Sequence, residues 1–285
     1  MSAVRAEGSG GTEDTEGTGG TGPAEGAARP LVVMPTYDER DSLPRTLDAL
    51  RRHAPEVDVL VVDDGSPDGT GELAERIAAR EEAELGRRRI QVLHRTGKQG
   101  LGTAYVAGFR WALERGYPAV VEMDADGSHR AEDLPRLLTR LDAEDAPALV
   151  IGSRWVRGGR VVNWPVHRQI LSRGANVYAW LAMGLPVRDA TAGFRVYRQD
   201  VLRRLALAEV ASHGYCFQID MAWRVIKAGG TVAEVPITFV ERAEGRSKMS
   251  RNIVVEALVR VTVWGAQERW NQLRRLIGSG RAPRR

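Results

Sequence analysis

Between Leu31 and Leu141, short apolar runs alternate with stretches whose apolar residues recur every third or fourth position. Leu31–Met34 precedes Leu43, Leu47 and Leu50, and Val57–Val62 precedes a helical pattern over Thr70–Ala83. Ile90–Leu93 precedes Ala104–Leu113, and Ala119–Met123 precedes Leu134, Leu137, Leu138 and Leu141. Short continuous apolar runs mark buried strands, and spacings of three and four mark helices with one apolar face. Four strand–helix units in series predict an α/β fold with a mainly parallel central sheet and helices on both faces.

The rhythm changes after Ala148–Ile151. A Gly158-Gly159 turn leads through Pro165 to a helix expected over His167–Met183. On it Arg168, Ser172 and Asn176 stand four residues apart, a polar stripe bordered by Ile170, Leu171, Val177 and Leu181. Such a stripe is either a solvated face or a functional one. Val187–Tyr197 reads as a turn and strand, Tyr215–Ala228 as a helix and Val232–Val240 as one strand. An amphipathic helix is expected over about Asn252–Ile277, with Leu258, Val261 and Trp264 on it and Arg251, Arg260, Arg269, Arg274 and Arg275 among them. Cations and tryptophan on such a helix suit an anionic membrane surface, and docking on the protein's own core equally.

Composition narrows this little. The 285 residues are 43% hydrophobic and 27% charged, as in a soluble globular chain. There is no run of 18 apolar residues and no signal-peptide core, so nothing is expected to span a bilayer or to be exported. The single cysteine, Cys216, excludes an intrachain disulfide, fits the cytosol and reads as a core residue. Residues 1–29 are Gly, Thr, Glu and Ala with few large apolar groups, and are expected to be a disordered acidic tail. Its Gly17-Thr18-Gly19-Gly20-Thr21-Gly22 matches a dinucleotide-site spacing by composition only, since no strand precedes it. A short tail is expected over 278–285 as well.

The first tail holds five acids against Arg5 and Arg29, a net of −3, so the rest carries +7 of a chain whose total is +4. A basic body implies anionic partners: nucleic acid, a membrane surface or phosphorylated substrates. Of 41 basic residues only Lys98, Lys227 and Lys248 are lysine, and two of these sit in Gly-rich turns, Gly97–Gly100 and Gly245–Lys248. The groove lacks the aromatic-basic interleaving of strand binders, which argues against nucleic acid.

The chemistry collects where strands end. Val120-Val121-Glu122-Met123 stops on Asp124-Ala125-Asp126, and carboxylates at a strand's carboxyl end stand where open α/β sheets bind ligands. Oxygen ligands suit Mg²⁺ or Mn²⁺, which are commonly held by one or two carboxylates plus substrate phosphates. Alone, two acids here could equally cap a helix or solvate a turn. An EF-hand is excluded, because His129 and Pro135 occupy the places of its Gly and Glu. Val59–Val62 likewise stops on Asp63 and Asp64 before a Gly-rich turn, and the first strand stops on Pro35-Thr36-Tyr37-Asp38-Glu39. Three strand ends then meet at one crevice.

These motifs resemble family 2 glycosyltransferases of the GT-A nucleotide-diphospho-sugar transferase fold, and more closely the polyprenyl (dolichyl) phosphate mannose synthases. The resemblance covers about Leu31–Met249 and rests on Pro35-Thr36-Tyr37, Asp63–Thr70, Gly97–Gly102 and Asp124–His129. It continues through Gly152-Ser153-Arg154, Asp189–Arg195, Gly214–Gln218, Phe239–Arg242 and Ser247-Lys248. It implies one catalytic domain over 30–249, followed by the basic helix over 250–277. It implies that Pro35, Tyr37, Glu39, Asp63, Asp64, Lys98 and Ala125 hold the nucleotide sugar. Asp124 and Asp126 would hold the cation, with Ser128 standing where some relatives place a Gln ligand. Arg154, Arg168, Ser172, Arg242 and Lys248 would surround the acceptor phosphate and leaving group.

The implied reaction is inverting transfer of mannose from GDP-mannose to a polyprenyl phosphate. A phosphate acceptor is already ionised, with a second pKa of about 6, so no catalytic base is expected. The implied partners are the nucleotide sugar, the lipid, and a membrane surface or membrane-embedded protein at the cytoplasmic face. A UDP-sugar donor is the rival within the fold, and a non-catalytic module for anionic surfaces the rival outside it. Departures from the family pattern are Asp38 where Asn is usual, Asp220 where Glu is common, and Arg130-Ala131 before the fourth helix.

Overall fold

The computed structural model describes residues 29–210, 215–241, 258–267, 269–270 and 274. The tail as far as Ala28, Arg242, Lys248, the 278–285 tail and much of the helix expected over Asn252–Ile277 lie outside these residues. The first half alternates as the apolar pattern predicts: β1 (Leu31–Thr36), α1 (Leu43–His53), β2 (Asp58–Asp63), α2 (Thr70–Leu85), β3 (Ile90–His94), α3 (Leu101–Glu114), β4 (Ala119–Glu122) and α4 (Leu134–Leu141). Then come β5 (Leu149–Ser153), β6 (Arg160–Val162), α5 (Val166–Met183), β7 (Arg195–Arg198), α6 (Gln199–Arg204), α7 (Tyr215–Lys227), β8 (Val232–Pro236) and β9 (Thr238–Val240).

The main sheet runs β3-β2-β1-β4-β7-β5-β8, parallel except for β7, which is antiparallel to both neighbours. Apolar residues line both faces of its strands. Leu31, Val33, Leu60 and Val120 pack toward Tyr105 and Phe109, whereas Val32, Met34, Val59 and Val121 pack toward Leu43, Leu47 and Leu137. Helices therefore cover both faces, as a parallel sheet requires. At Gly108 helix α3 lies so close to β1 that a Cβ would sit 2.3 Å from Val33 Cγ1. Cys216 is buried, as expected of a core residue.

Register aligns the functional edge. Thr36 pairs with Asp63 and Asp63 with His94, so β1, β2 and β3 end level. Arg195 of β7 faces Glu122 on one side and Ile151 on the other, so Glu122 at the end of β4 is level with Ile151, two residues before the end of β5, two strand spacings or about 10 Å away.

One expectation is corrected. Val232–Val240 is two strands: β8 pairs with β5 up to Pro236, and β9 then pairs with β6 in a separate small sheet. Pro236 has no N–H to extend the ladder, and the buried Ile237 turns the chain while its N–H bonds Ser153 O at 3.1 Å. The polar stripe on α5, for which a solvated and a functional reading stood open, faces inward. Ser172 and Asn176 are buried, while Val166, Ile170, Val177, Trp180 and Leu181 are 55–69% exposed.

The helical segment 258–267 lies along α5. Thr262 and Tyr178 hydroxyls are 2.5 Å apart, and a Cβ on Gly265 would lie 2.4 Å from Ala182 O. Val261 is buried and Trp264 stacks on Trp223 at 5.9 Å, whereas Leu258, Val259, Val263 and Trp270 are exposed. In this segment one face docks on the core, and the other presents exposed apolar side chains. Among the described residues no helix is long and apolar enough to cross a membrane.

Candidate active site

The β1 and β2 ends are tied together by their own side chains. Thr36 Oγ1 donates to Asp63 Oδ1 at 2.9 Å, and Ser66 donates to the same carboxylate through its N–H at 3.0 Å and its hydroxyl at 2.6 Å. Asp38 follows with φ +58°, a left-handed conformation that Asp tolerates as Asn does, so the substitution at this position keeps the turn. Its N–H bonds Ser66 Oγ, and Glu39 N–H bonds Thr70 Oγ1.

Asp64 closes the next loop. It pairs with Arg95 and accepts the N–H groups of Gln99 at 3.1 Å and Gly100 at 3.2 Å. That loop carries Lys98, whose Nζ lies 3.9 Å from the centre of the Tyr37 ring. Pro35, Tyr37, Glu39, Asp63, Asp64 and Lys98 are therefore brought to one edge. The two aspartates are nearly buried and hold the loops, a role the sequence does not display.

At the β4 end Asp124 and Asp126 are half-buried and Ala125 between them is buried. Tyr105 donates to Asp124 Oδ1 at 2.9 Å; burial first, and then Asp124's charge, raises the Tyr105 pKa well above its ordinary value and keeps it a donor. Ser128 N–H caps Asp126 Oδ1 at 3.0 Å, and Thr46 Oγ1 bonds Ala125 O. Ser128 is buried, with its carbonyl on Val240 N–H. Below the turn, burial lifts the Glu122 carboxyl to about 7 against the pull of Arg195.

Among the described residues no three His, Cys, Asp or Glu side chains converge as a metal cage. Two hard carboxylates on an open edge fit Mg²⁺ or Mn²⁺ if a phosphorylated substrate supplies further oxygens.

The far end gathers at β5 and α5. Arg154 is buried, with Nε on Asp189 Oδ2 at 2.8 Å, Nη2 on Asp189 Oδ1 at 2.7 Å and on Thr191 Oγ1 at 2.9 Å. Ser172 Oγ lies 3.4 Å from Nη2, and Asn176 bonds both Asp189 and Thr191. Arg168 pairs with Glu241. Trp164 underlies both guanidinium groups, 5.1 Å from Arg154 and 5.7 Å from Arg168. The inward stripe of α5 thus belongs to the site. Arg242 and Lys248 follow Glu241 outside the described residues. Asp189, Thr191, Asn176, Tyr105 and His129 are site residues to which the motifs gave no role.

Residues 31–206 match the family model described as glycosyl transferase family 2. The chain is 54% identical to the undecaprenyl-phosphate mannosyltransferase of Micrococcus luteus, over 88% of this chain and 99% of that one. It is 51% identical to the polyprenol monophosphomannose synthase of Mycolicibacterium smegmatis, over 87% and 91%. In fold it resembles glucosyl-3-phosphoglycerate synthase of Mycobacterium tuberculosis, with a TM-score of 0.58 at 18% identity over 82% and 80% of the two chains. A mannosyltransferase of Pyrobaculum calidifontis, solved with GDP-Man and Mn²⁺, gives a TM-score of 0.50 at 18% identity over 84% and 73%. Strand-end acids, sheet order and sequence agree, and the chain belongs to glycosyltransferase family 2.

Proposed function

We propose that the chain transfers mannose from GDP-mannose to the phosphate of a polyprenyl lipid, with Mg²⁺ or Mn²⁺, while docked peripherally on the cytoplasmic face of a membrane. The observation that carries this reading is the register of β4 and β5. It sets Glu122, just before the acids, level with Ile151, just before Ser153 and Arg154, on strands about 10 Å apart that run to the same sheet edge. That gap suits a sugar between a diphosphate and an incoming phosphate. The family and the two mannosyltransferase relatives support the transfer and the lipid class.

In this reading Pro35, Tyr37, Glu39, Asp63, Asp64, Lys98 and Ala125 line the nucleotide. Asp124 and Asp126, with Ser128 beside them, hold the cation, which when bound offsets the charge of the departing diphosphate. Arg154, Arg168 and Ser172, joined by Arg242 and Lys248, receive the acceptor phosphate. An ionised phosphate oxygen attacks the anomeric carbon as its bond to the diphosphate breaks, and GDP leaves with the electron pair. The configuration inverts, and no side chain needs to take a proton. The apolar outer face of α5, of segment 258–267 and of Trp270 is the surface offered to the membrane or to a membrane-embedded partner; nucleic acid has no part.

The test is incubation of the purified chain with GDP-mannose, UDP-glucose and other nucleotide sugars, a short polyprenyl phosphate and Mg²⁺ or Mn²⁺, followed by solvent extraction. Mannose should enter the lipid phase from GDP-mannose. Sugar absent from that phase under every condition refutes transfer to lipid, and transfer from a UDP-sugar alone refutes the donor.

A further inference from the structure

We infer that His129 is a positioning residue for the cation-binding pair, acting through the main chain of Asp124. Its ring is buried, 5.2 Å from Phe194 and nearly parallel to it at 16°, with the edge of Phe239 6.0 Å away. Its Nδ1 lies 3.0 Å from Asp124 N, the amide that opens the acid turn. An N–H donor needs a lone pair, which Nδ1 supplies in this contact. The turn it closes is Asp124–His129, with Gly127 at φ +76° and Ser128 N–H on Asp126.

Two further contacts show why a buried ring is used here. A Cβ on Gly193 would sit 3.3 Å from His129 Cε1 and 3.8 Å from Asp124 Oδ2, so the loop from Asp189 passes directly over the histidine and the acid. His129 also bridges to Phe239 of β9, and the neighbouring Ser128 O accepts Val240 N–H. One side chain thus joins the acid turn, the loop that pairs Arg154 and the strand leading to Glu241. Without the Nδ1 acceptor the Asp124 amide loses this bond, and the turn shifts as its hydrogen bonding rearranges. The carboxylates carried on that turn would then shift with it. Outer partners that orient metal-binding side chains act in this way.

The inference rests on the cation reading of Asp124 and Asp126, and its experiment separates the two. Mn²⁺ uptake by the full chain in the presence of GDP is followed by electron paramagnetic resonance, beside thermal unfolding of each variant. His129→Phe keeps a stacking ring and removes the acceptor; it should weaken Mn²⁺ uptake roughly 10- to 100-fold. His129→Gln places its acceptor too far out and should weaken it similarly. His129→Asn places an oxygen near the Nδ1 position and should restore uptake.

Equal uptake by wild type and by folded His129→Phe or His129→Gln overturns the inference alone. Loss in His129→Asn as large as in His129→Phe and His129→Gln means that an acceptor at the Nδ1 position does not hold the turn, and also overturns it. No Mn²⁺ uptake by the wild-type chain sinks the cation reading and the inference together.

Discussion

Arg154 and Asp189 form a closed two-point pair, with side chains 4% and 0% exposed, that fastens the end of β5 to the loop before β7. The same carboxylate accepts the Arg154 main-chain N–H at 2.8 Å, and Glu234 of β8 accepts the N–H groups of Arg188 and Asp189. Removing one partner of a buried pair leaves an uncompensated charge, which costs about 3–5 kcal/mol. Asp189→Ala should lose about that much stability in urea unfolding. Glu234→Ala, which leaves Arg154 paired, should lose less. Equal stability of Asp189→Ala and wild type would contradict the buried-pair account.

Asp126→Asn keeps the shape of the turn and halves the charge offered to a cation. Its other structural duty, accepting Ser128 N–H, can pass to the amide oxygen. The variant should therefore melt like wild type and lose mannosyl transfer at Mg²⁺ or Mn²⁺ levels that saturate the wild type, with partial return at higher metal. Wild-type transfer by Asp126→Asn at low metal would remove the carboxylate from the cation site.

The outer face of α5 gives a third expectation. Ile170 is 67% and Trp180 56% exposed, and α5 carries Arg168 and Arg173 with no acid between Val166 and Met183. An apolar stripe beside cations matches an anionic lipid surface. Ile170→Glu together with Trp180→Glu should reduce sedimentation with phosphatidylglycerol vesicles while leaving the melting temperature close to wild type. Soluble analogues of the acceptor should still be used. Vesicle binding unchanged by the double substitution would place the lipid contact elsewhere.

The alternation of strands and helices was legible because burial on both faces of a parallel sheet leaves unbroken apolar runs, and α1 to α4 keep one apolar face each. The break at Pro236 was not, since Val232–Val240 reads as one apolar stretch and nothing in it tells which neighbour each half pairs with. Periodicity likewise shows that α5 has two faces and not which one turns inward; that depends on Asp189 and Thr191, which no local spacing connects to it. At the site, the acids at the ends of β2 and β4 were visible as abrupt changes from apolar to charged. Their partners were not: Tyr105 is 19 residues from Asp124, and Gln99 is 35 from Asp64. A sequence shows that a carboxylate is present; only the fold shows that Asp63 and Asp64 already hold their own loops.

Asp68 supplies a pH dependence whose sign follows from its bonds. It stands just before α2, and its Oδ1 accepts Thr70 N–H at 2.9 Å and the Thr70 hydroxyl at 2.5 Å, while Oδ2 accepts Arg40 N–H at 3.1 Å. Partial burial pushes its pKa up, and these bonds outweigh that and hold it below the ordinary 3.8. A carboxyl whose folded pKa is lowered binds fewer protons when folded, so its stabilisation is present above the unfolded value and is lost as pH falls through the folded one. Asp68→Ala should therefore cost about 1 kcal/mol near neutral pH, the usual worth of such a helix-entry carboxylate. The difference from wild type should shrink as pH falls below 3.8. Urea unfolding of both proteins across that range gives the answer, and a difference that stays constant with pH would show that Asp68 acts through packing and not through charge.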